Sequence, residues 1–455
     1  MRNKEVNMLS GSIMKGLFAI AMPIMIMNVL QNVFNIIDMT ILKMFDTDGG
    51  YSVGAVGASG TLISLITGLL TGIAAGANVI IARYIGKGDK EGIDKAVGTS
   101  VVFSVIGGLA LMVIGVAFAK VFLKLSNCPD KLLSSATLYF RLYFLGSPIL
   151  MIYNFIAAIL RSSGDSKRPM IYLTIGGVLK VIFTFLFVGV FKMQITGVAL
   201  ATILSWAASA VLGARALIVD GGIVKVNFSK LKLYKQQLLE ILKIGIPTGM
   251  QQALYSIANV IITATVNSFG PDATTGISIA NQFDGILYQV AVSPSLAVMP
   301  YVSQNVGAGN IKRAKSAILK GMFITIGMGA FFGALSAIFS TQLSSIMSSN
   351  PKVIEFSRQK MIIVSSTYFI CGINEIIGAA LKGMGRPIVP MVCTMIFMCV
   401  IRFPWVYLIF PMLPSLTFLY LIWPIGWVLS ILTLLIFYFP TASKLMKKNQ
   451  TPTVE

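Results

Sequence analysis

Ile159-Leu160-Arg161-Ser162-Ser163-Gly164-Asp165-Ser166-Lys167-Arg168-Pro169-Met170 returns 221 residues later as Ala380-Leu381-Lys382-Gly383-Met384-Gly385-Arg386-Pro387-Ile388-Val389-Pro390-Met391. Leu, Gly, Pro and Met coincide, and each copy closes a long apolar run. The same offset of 221 lays Gly86 to Ala96 over Gly307 to Ala317. Pro23 answers Pro247 at an offset of 224, so the second copy is three residues shorter after its proline. Three matches in order identify an internal duplication. An even number of helices per copy gives both halves one orientation, related by an axis along the membrane normal, as in secondary transporters built from parallel repeats.

Outward from the repeat, the 455 residues are 56% hydrophobic and only 11% charged, against about 25% charged in soluble domains. The chain is therefore read as a polytopic helical membrane protein. A crossing needs about 20 apolar residues. Runs of that kind fall near 15–43, 53–82, 97–119, 134–159, 170–191 and 195–218, then near 241–268, 274–304, 317–340, 359–381, 388–411 and 416–440. The expected fold is all-α with twelve spans, divided into lobes 1–222 and 223–455 around a basic linker at 219–240. The first run lacks a small-residue cleavage site and is read as a span, not a removed leader.

With the N-terminus inside, 25 of the 36 Lys and Arg residues, Arg2, Lys4 and Lys15 among them, fall on the inward side. The positive-inside rule then places both termini in the cytoplasm, and a multi-pass protein of the plasma (inner) membrane is expected. The net charge of +20 is read as loop charge and not as a nucleic-acid surface. The sequence has no His, which removes His relays and His-based catalysis, and the four Cys lack metal-ligand spacing. Gly86 to Ala96 lacks the G-x-x-x-x-G-K-[ST] of a phosphate loop, so ATP hydrolysis is set aside. No enzyme chemistry and no cofactor are expected.

Five ionisable groups lie within the apolar runs: Asp38, Lys180, Asp284, Glu375 and Arg402. Each costs about 2.5–3.5 kcal/mol at the bilayer centre on insertion scales, which makes it a functional candidate. Gln31 and Asn35 precede Asp38 by seven and three residues and share its helical face. A carboxylate beside amide oxygens suits Na+ or a proton; the alternative is a near-surface acid paired with Lys43. Pro23 removes a backbone hydrogen bond and is a candidate hinge. Lys180 sits tenth in the run Ile171 to Phe191, too central to snorkel easily. The repeat mate of Glu375 is Asn154, and Arg402 lies one residue from the mate of Lys180. An acid and a base per lobe follow from this: Asp38 with Lys180, and Glu375 with Arg402, the latter pair functional or merely structural. Asp284, after Asn281 and Gln282, faces either a site or a wet crevice.

Taken together, Pro23 with Gln31, Asn35 and Asp38, Arg83 to Gly86, the motif from Leu160 to Met170, Asn305 to Gly309, and Cys371 to Glu375 resemble the multidrug and toxic compound extrusion (MATE) transporters of bacteria, nearly end to end. The resemblance implies two six-helix lobes in a V around a central cavity, and export of organic cations and other amphiphiles driven by Na+ or H+. It also implies that Asp38 is the coupling carboxylate. Many bacterial relatives carry Asn and Asp where this chain has Lys180 and Thr184. The usual sodium site is thereby altered, and the family geometry would let Lys180 act as a tethered cation for Asp38. Candidate substrate-cavity residues are Phe34, Tyr153, Asn154, Gln251, Tyr255, Gln282 and Tyr288, since aromatics with sparse amides suit flat amphiphiles. Ordinary helix packing is the competing reading for each of them. Small molecules and the bilayer are the expected partners of a monomer. A flippase for lipid-linked saccharides is the rival function, which Lys180 and the basic charge would suit.

Overall fold

The computed structural model describes residues 6–46, 51–126, 128–220 and 222–450; Arg2 and Lys4 lie outside them. Among the described residues every regular element is helical. In order these are α1 (Ile13–Met44), α2 (Tyr51–Lys87), α3 (Lys90–Leu125), α4 (Asp130–Leu145), α5 (Ser147–Ser162), α6 (Lys167–Thr184), α7 (Gln194–Val219), α8 (Lys235–Asn267) and α9 (Pro271–Gly307). There follow α10 (Ile311–Ile338), α11 (Ser340–Met347), α12 (Pro351–Val364), α13 (Tyr368–Gly383), α14 (Ile388–Thr394), α15 (Arg402–Pro404), α16 (Leu416–Tyr420) and α17 (Ile422–Gln450). Ten stretches are long and apolar enough to cross a bilayer, and α4 with α5, bent by 48°, makes an eleventh. The 33-residue α8 fills the remaining place, where the seventh apolar run lies. The protein is an all-α membrane protein with the twelve spans expected.

The duplication is visible in the backbone. Gly88 and Gly309 both take positive φ, 70° and 74°, and the next residue in each case caps a helix. Asp89 accepts from the backbone N–H of Gly92 at 2.8 Å, and Asn310 does the same for Arg313. A short acceptor at this position satisfies one of the helix's four unpaired N–H groups. These caps start α3 and α10 several residues ahead of their apolar runs, so the helices project beyond the hydrocarbon length.

The chain forms two compact units, one of Met1–Val6 with Ile26–Gly249 and the other of Asn7–Met25 with Met250–Glu455. Their limits do not follow the repeat boundary at 222/223. The chain passes between units three residues after Pro23 and three residues after Pro247, at equivalent points of the two repeats. A proline inside a helix leaves a carbonyl unpaired and kinks the axis, so the halves of α1 and of α8 pack in different surroundings.

In the first unit α2 crosses α8 on glycine. A Cβ on Gly72 would stand 2.1 Å from the backbone nitrogen of Gly249, and one on Gly76 would stand 2.3 Å from the carbonyl oxygen of Ile241. Small residues four apart let membrane helices approach backbone to backbone, the gain being dispersion and not a hydrophobic term. The basic linker is docked and not free: Tyr234 donates its N–H to Thr99 at 3.2 Å, and Asn227 donates to Asp94 at 3.0 Å. The core of this unit gathers Leu42, Leu123, Phe140, Phe144 and Val188. In the second unit Tyr420, Trp427, Met398 and Leu419 form the corresponding core.

Candidate functional site

The first unit brings Asp38 and α6 together through a glycine. A Cβ on Gly177 would fall 2.0 Å from the ring of Phe34, so only glycine admits that ring between α1 and α6. One turn further along α6, Lys180 Nζ lies 2.5 Å from Asp38 Oδ2 and donates to Asn35 Oδ1 at 3.1 Å. Thr184 Oγ1 donates to Asp38 Oδ1 at 2.9 Å. The lysine approaches Oδ2 off its hydrogen-bonding direction, so that contact is one of charge with charge. The Asp38 side chain is 3% exposed and that of Lys180 15%, which leaves the ammonium the wetter partner. Immediately after Thr184 the helix widens into a π turn, Phe185–Val190. Such turns are frequent at functional sites because the extra residue re-aims the side chains before it.

Of the expected coupling residues, Asn35, Asp38, Lys180 and Thr184 therefore converge. Gln31 does not: it is exposed and shares no hydrogen bond with Asp38. Lys43 is likewise not the partner of Asp38, whose two oxygens are taken by α6.

In the second unit the charges pair differently from the expectation. Among the described residues no ion pair joins Glu375 to Arg402. Glu375 accepts from the Tyr255 hydroxyl at 2.8 Å, while Arg402 donates to Asn259 at 3.0 Å and lies 5.2 Å from the centre of the Trp423 ring. The physical reason is local. Arg402 stands between two π stretches, Met395–Val400 and Trp405–Ile409, which advance the chain by extra residues per turn and rotate it off the α register assumed from Lys180. Asp284 instead pairs with Lys360 at 2.8 Å and accepts from Ser365 at 2.9 Å, and Lys360 also donates to Asn281. Lys360 was missed in the sequence because it opens an apolar run, where a lysine reads as a snorkelling end residue.

The second unit also holds a half-open cavity of about 430 Å³, lined by Tyr255, Asn259, Asp284, Tyr288, Lys360, Arg402 and Trp423 among others. Of the candidate cavity residues it takes Tyr255 and Tyr288. Gln251 lies outside it, donating to Thr394 at 3.0 Å, and Gln282 is exposed. In the first unit Phe34 fills the space over Gly177, Tyr153 donates to the Pro169 carbonyl at 2.9 Å, and Asn154 bonds the carbonyl of Leu150 on its own helix. For Phe34 and Tyr153 packing accounts for the side chain.

Comparison with known proteins returns the same duplication. The model of the MatE family matches residues 23–186 and again 247–408, so both matches begin at one of the two kinking prolines. A probable multidrug resistance protein of Bacillus subtilis, YpnP, is 27% identical over 401 residues, covering 88% of this chain and 89% of that protein. An FAD transporter of Shewanella oneidensis is 24% identical over 376 residues, 82% of each. The fold agrees with a crystal structure of a MATE protein in complex with MaL6, with a TM-score of 0.91 over 98% of this chain and 100% of that one at 21% identity. Two matches that start at the prolines and together span most of the chain establish its kind: it belongs to the MatE family of membrane transporters.

Proposed function

We propose that the chain exports organic cations and other amphiphilic molecules across the inner membrane in exchange for protons, by alternating access, with both termini in the cytoplasm. Its membership of a transporter family, and not of an enzyme family, sets the class. The names of the relatives, a probable multidrug resistance protein and an FAD transporter, support a substrate range of flat amphiphiles.

The observation that carries the choice of ion is the Lys180 ammonium 2.5 Å from Asp38. Sodium needs several oxygen ligands, and here the free face of the carboxylate is held by a fixed cation of the protein itself. A proton needs no such cage. Arriving on Asp38, it neutralises the carboxylate and leaves Lys180 charged with only Asn35 and water as partners. Removing one member of a buried pair costs about 3–5 kcal/mol, less here because the ammonium is partly wet. That penalty favours a rearrangement of α1 or loss of the proton, and either couples proton movement to the state of the helix.

The test is ethidium efflux from cells carrying Asp38→Asn at expression matched to wild type. Efflux is expected to fall to the level of cells without the protein. Because Asn leaves Lys180 without its counter-charge, Asp38→Asn with Lys180→Met serves as the folding control, and it too should be inactive though stable. Wild-type efflux in either variant would rule out Asp38 as the coupling group.

A further inference from the structure

The cavity of the second unit, about 430 Å³, falls in the range of about 300–1,000 Å³ that holds small molecules. Three charged side chains line it: Asp284, Lys360 and Arg402. Lys360 and Asp284 cancel, being 2.8 Å apart. Arg402 is left over. It is 2% exposed, and among the described residues no carboxylate stands within ion-pair distance of it. Glu375 is not in the wall; it lies behind Tyr255, holding that hydroxyl, and shares its field with the buried Lys382. The wall therefore carries one net positive charge, which suits an anionic group, so this cavity is a site separate from the one that would take the organic cations of the proposed transport.

Two further features point inward. Tyr420 is fully buried, lines the same cavity, and its hydroxyl has no hydrogen-bond partner among the described residues. A buried hydroxyl without an acceptor is destabilising, and a bound acceptor would relieve it. Trp423 is faced by both cations, Lys360 at 5.7 Å and Arg402 at 5.2 Å, so its ring lies beside the positive charge. Trp427, Tyr288 and Tyr368 extend the aromatic wall.

We propose that this cavity is a binding site for amphiphilic organic anions, in which a carboxylate, sulfonate or phosphate sits on the Arg402 guanidinium and accepts from Tyr420 while an aromatic ring lies against Trp423 and Trp427. A guanidinium is the fitting cation, since it is planar, weakly hydrated and presents a fork that matches such groups two bonds at a time. The proposal takes its physiological meaning from the transport reading, but it concerns binding alone.

The experiment uses purified protein in nanodiscs with no ion gradient, and two dyes sharing a xanthene ring: anionic fluorescein and cationic rhodamine 123. Fluorescence anisotropy gives each affinity. Wild type is expected to bind fluorescein at least tenfold more tightly than rhodamine 123. Arg402→Gln should weaken fluorescein tenfold or more without weakening rhodamine 123, Arg402→Lys should recover part of the loss, and Tyr420→Phe should cost about threefold. If Arg402→Gln does not accumulate as folded protein, Arg402→Lys and Tyr420→Phe carry the same reading. Equal affinity for the two dyes in wild type, or fluorescein affinities within twofold of wild type in every variant that folds, would overturn it. Nanodiscs of phosphatidylglycerol against phosphatidylcholine separate the two sources of such an anion. Suppression of fluorescein binding by the anionic lipid assigns the site to a lipid headgroup, and no suppression assigns it to a free amphiphile. Because no gradient is applied, wild-type efflux in the Asp38→Asn cells together with intact fluorescein binding counts against proton exchange at Asp38 and leaves the anion site standing.

Discussion

On the proton-exchange reading proposed above, Lys180 decides what Asp38 can hold. Its ammonium lies against the carboxylate that a mobile cation would otherwise meet, and Thr184 donates a hydroxyl where the resemblance has a second carboxylate. Restoring that cage by the double change Lys180→Asn and Thr184→Asp should create Na+-stimulated transport. The measurement is substrate efflux from proteoliposomes at fixed pH with and without Na+. We expect wild type to respond less than twofold and the double variant at least fivefold; strong Na+ stimulation of wild type that survives Lys180→Asn would refute the tethered cation. The Asp38–Lys180 pair was legible before the structure, because an intramembrane lysine too central to snorkel needs a counter-charge and the resemblance supplied its direction. The Asp284–Lys360 pair was only half legible. Asp284 declared itself by burial cost, whereas Lys360 looked like a helix end. Arg402 was legible as a residue and not as a partner, since no linear spacing announces the π stretches that turn it from Glu375 toward Trp423.

Helices carry these side chains only as precisely as they cross one another. The α2–α8 crossing of the first unit rests on Gly72 and Gly76 meeting the backbone at Gly249 and Ile241. That glycine is tolerated in membrane helices is visible in composition; which glycine faces a neighbour is not, because every residue of such a helix is apolar and periodicity falls silent. The same helix supplies its own control: Gly57 and Gly60 have nothing within 4 Å of an added Cβ. Gly72→Val should lower the midpoint of thermal unfolding in detergent, the clash with backbone costing about 1–3 kcal/mol or more. Gly57→Ala should leave the midpoint unchanged or raise it slightly, since Ala is the better helix former by about 1 kcal/mol. Equal midpoints for Gly72→Val and wild type would mean that the crossing is not set by glycine contact.

At the scale of the whole chain, the duplication explains both what could be read and what could not. Landmarks such as Leu160 and Leu381 mark two copies whatever the folding, so the span count follows from them and from hydropathy. The exchange of the first halves of α1 and α8 between units depends on the kinks after Pro23 and Pro247, and a kink has no hydropathy signature. Orientation remains a matter of charge, and it can be checked with cysteines. Burial, with Asp130 beside it, raises the Cys128 thiol above its ordinary value and so lowers its thiolate fraction at neutral pH. It is nevertheless the one native thiol not fully buried, so Cys128→Ser is the proper background. In that background Lys225→Cys lies exposed in the linker and Lys131→Cys lies exposed at the start of α4. If the termini are cytoplasmic, the orientation that puts 25 of the 36 basic residues on the inward side, a membrane-impermeant maleimide should label position 131 in intact cells and position 225 only after permeabilisation. The opposite pattern would invert the protein in the membrane, and would place the docked basic linker, with both termini, outside the cell.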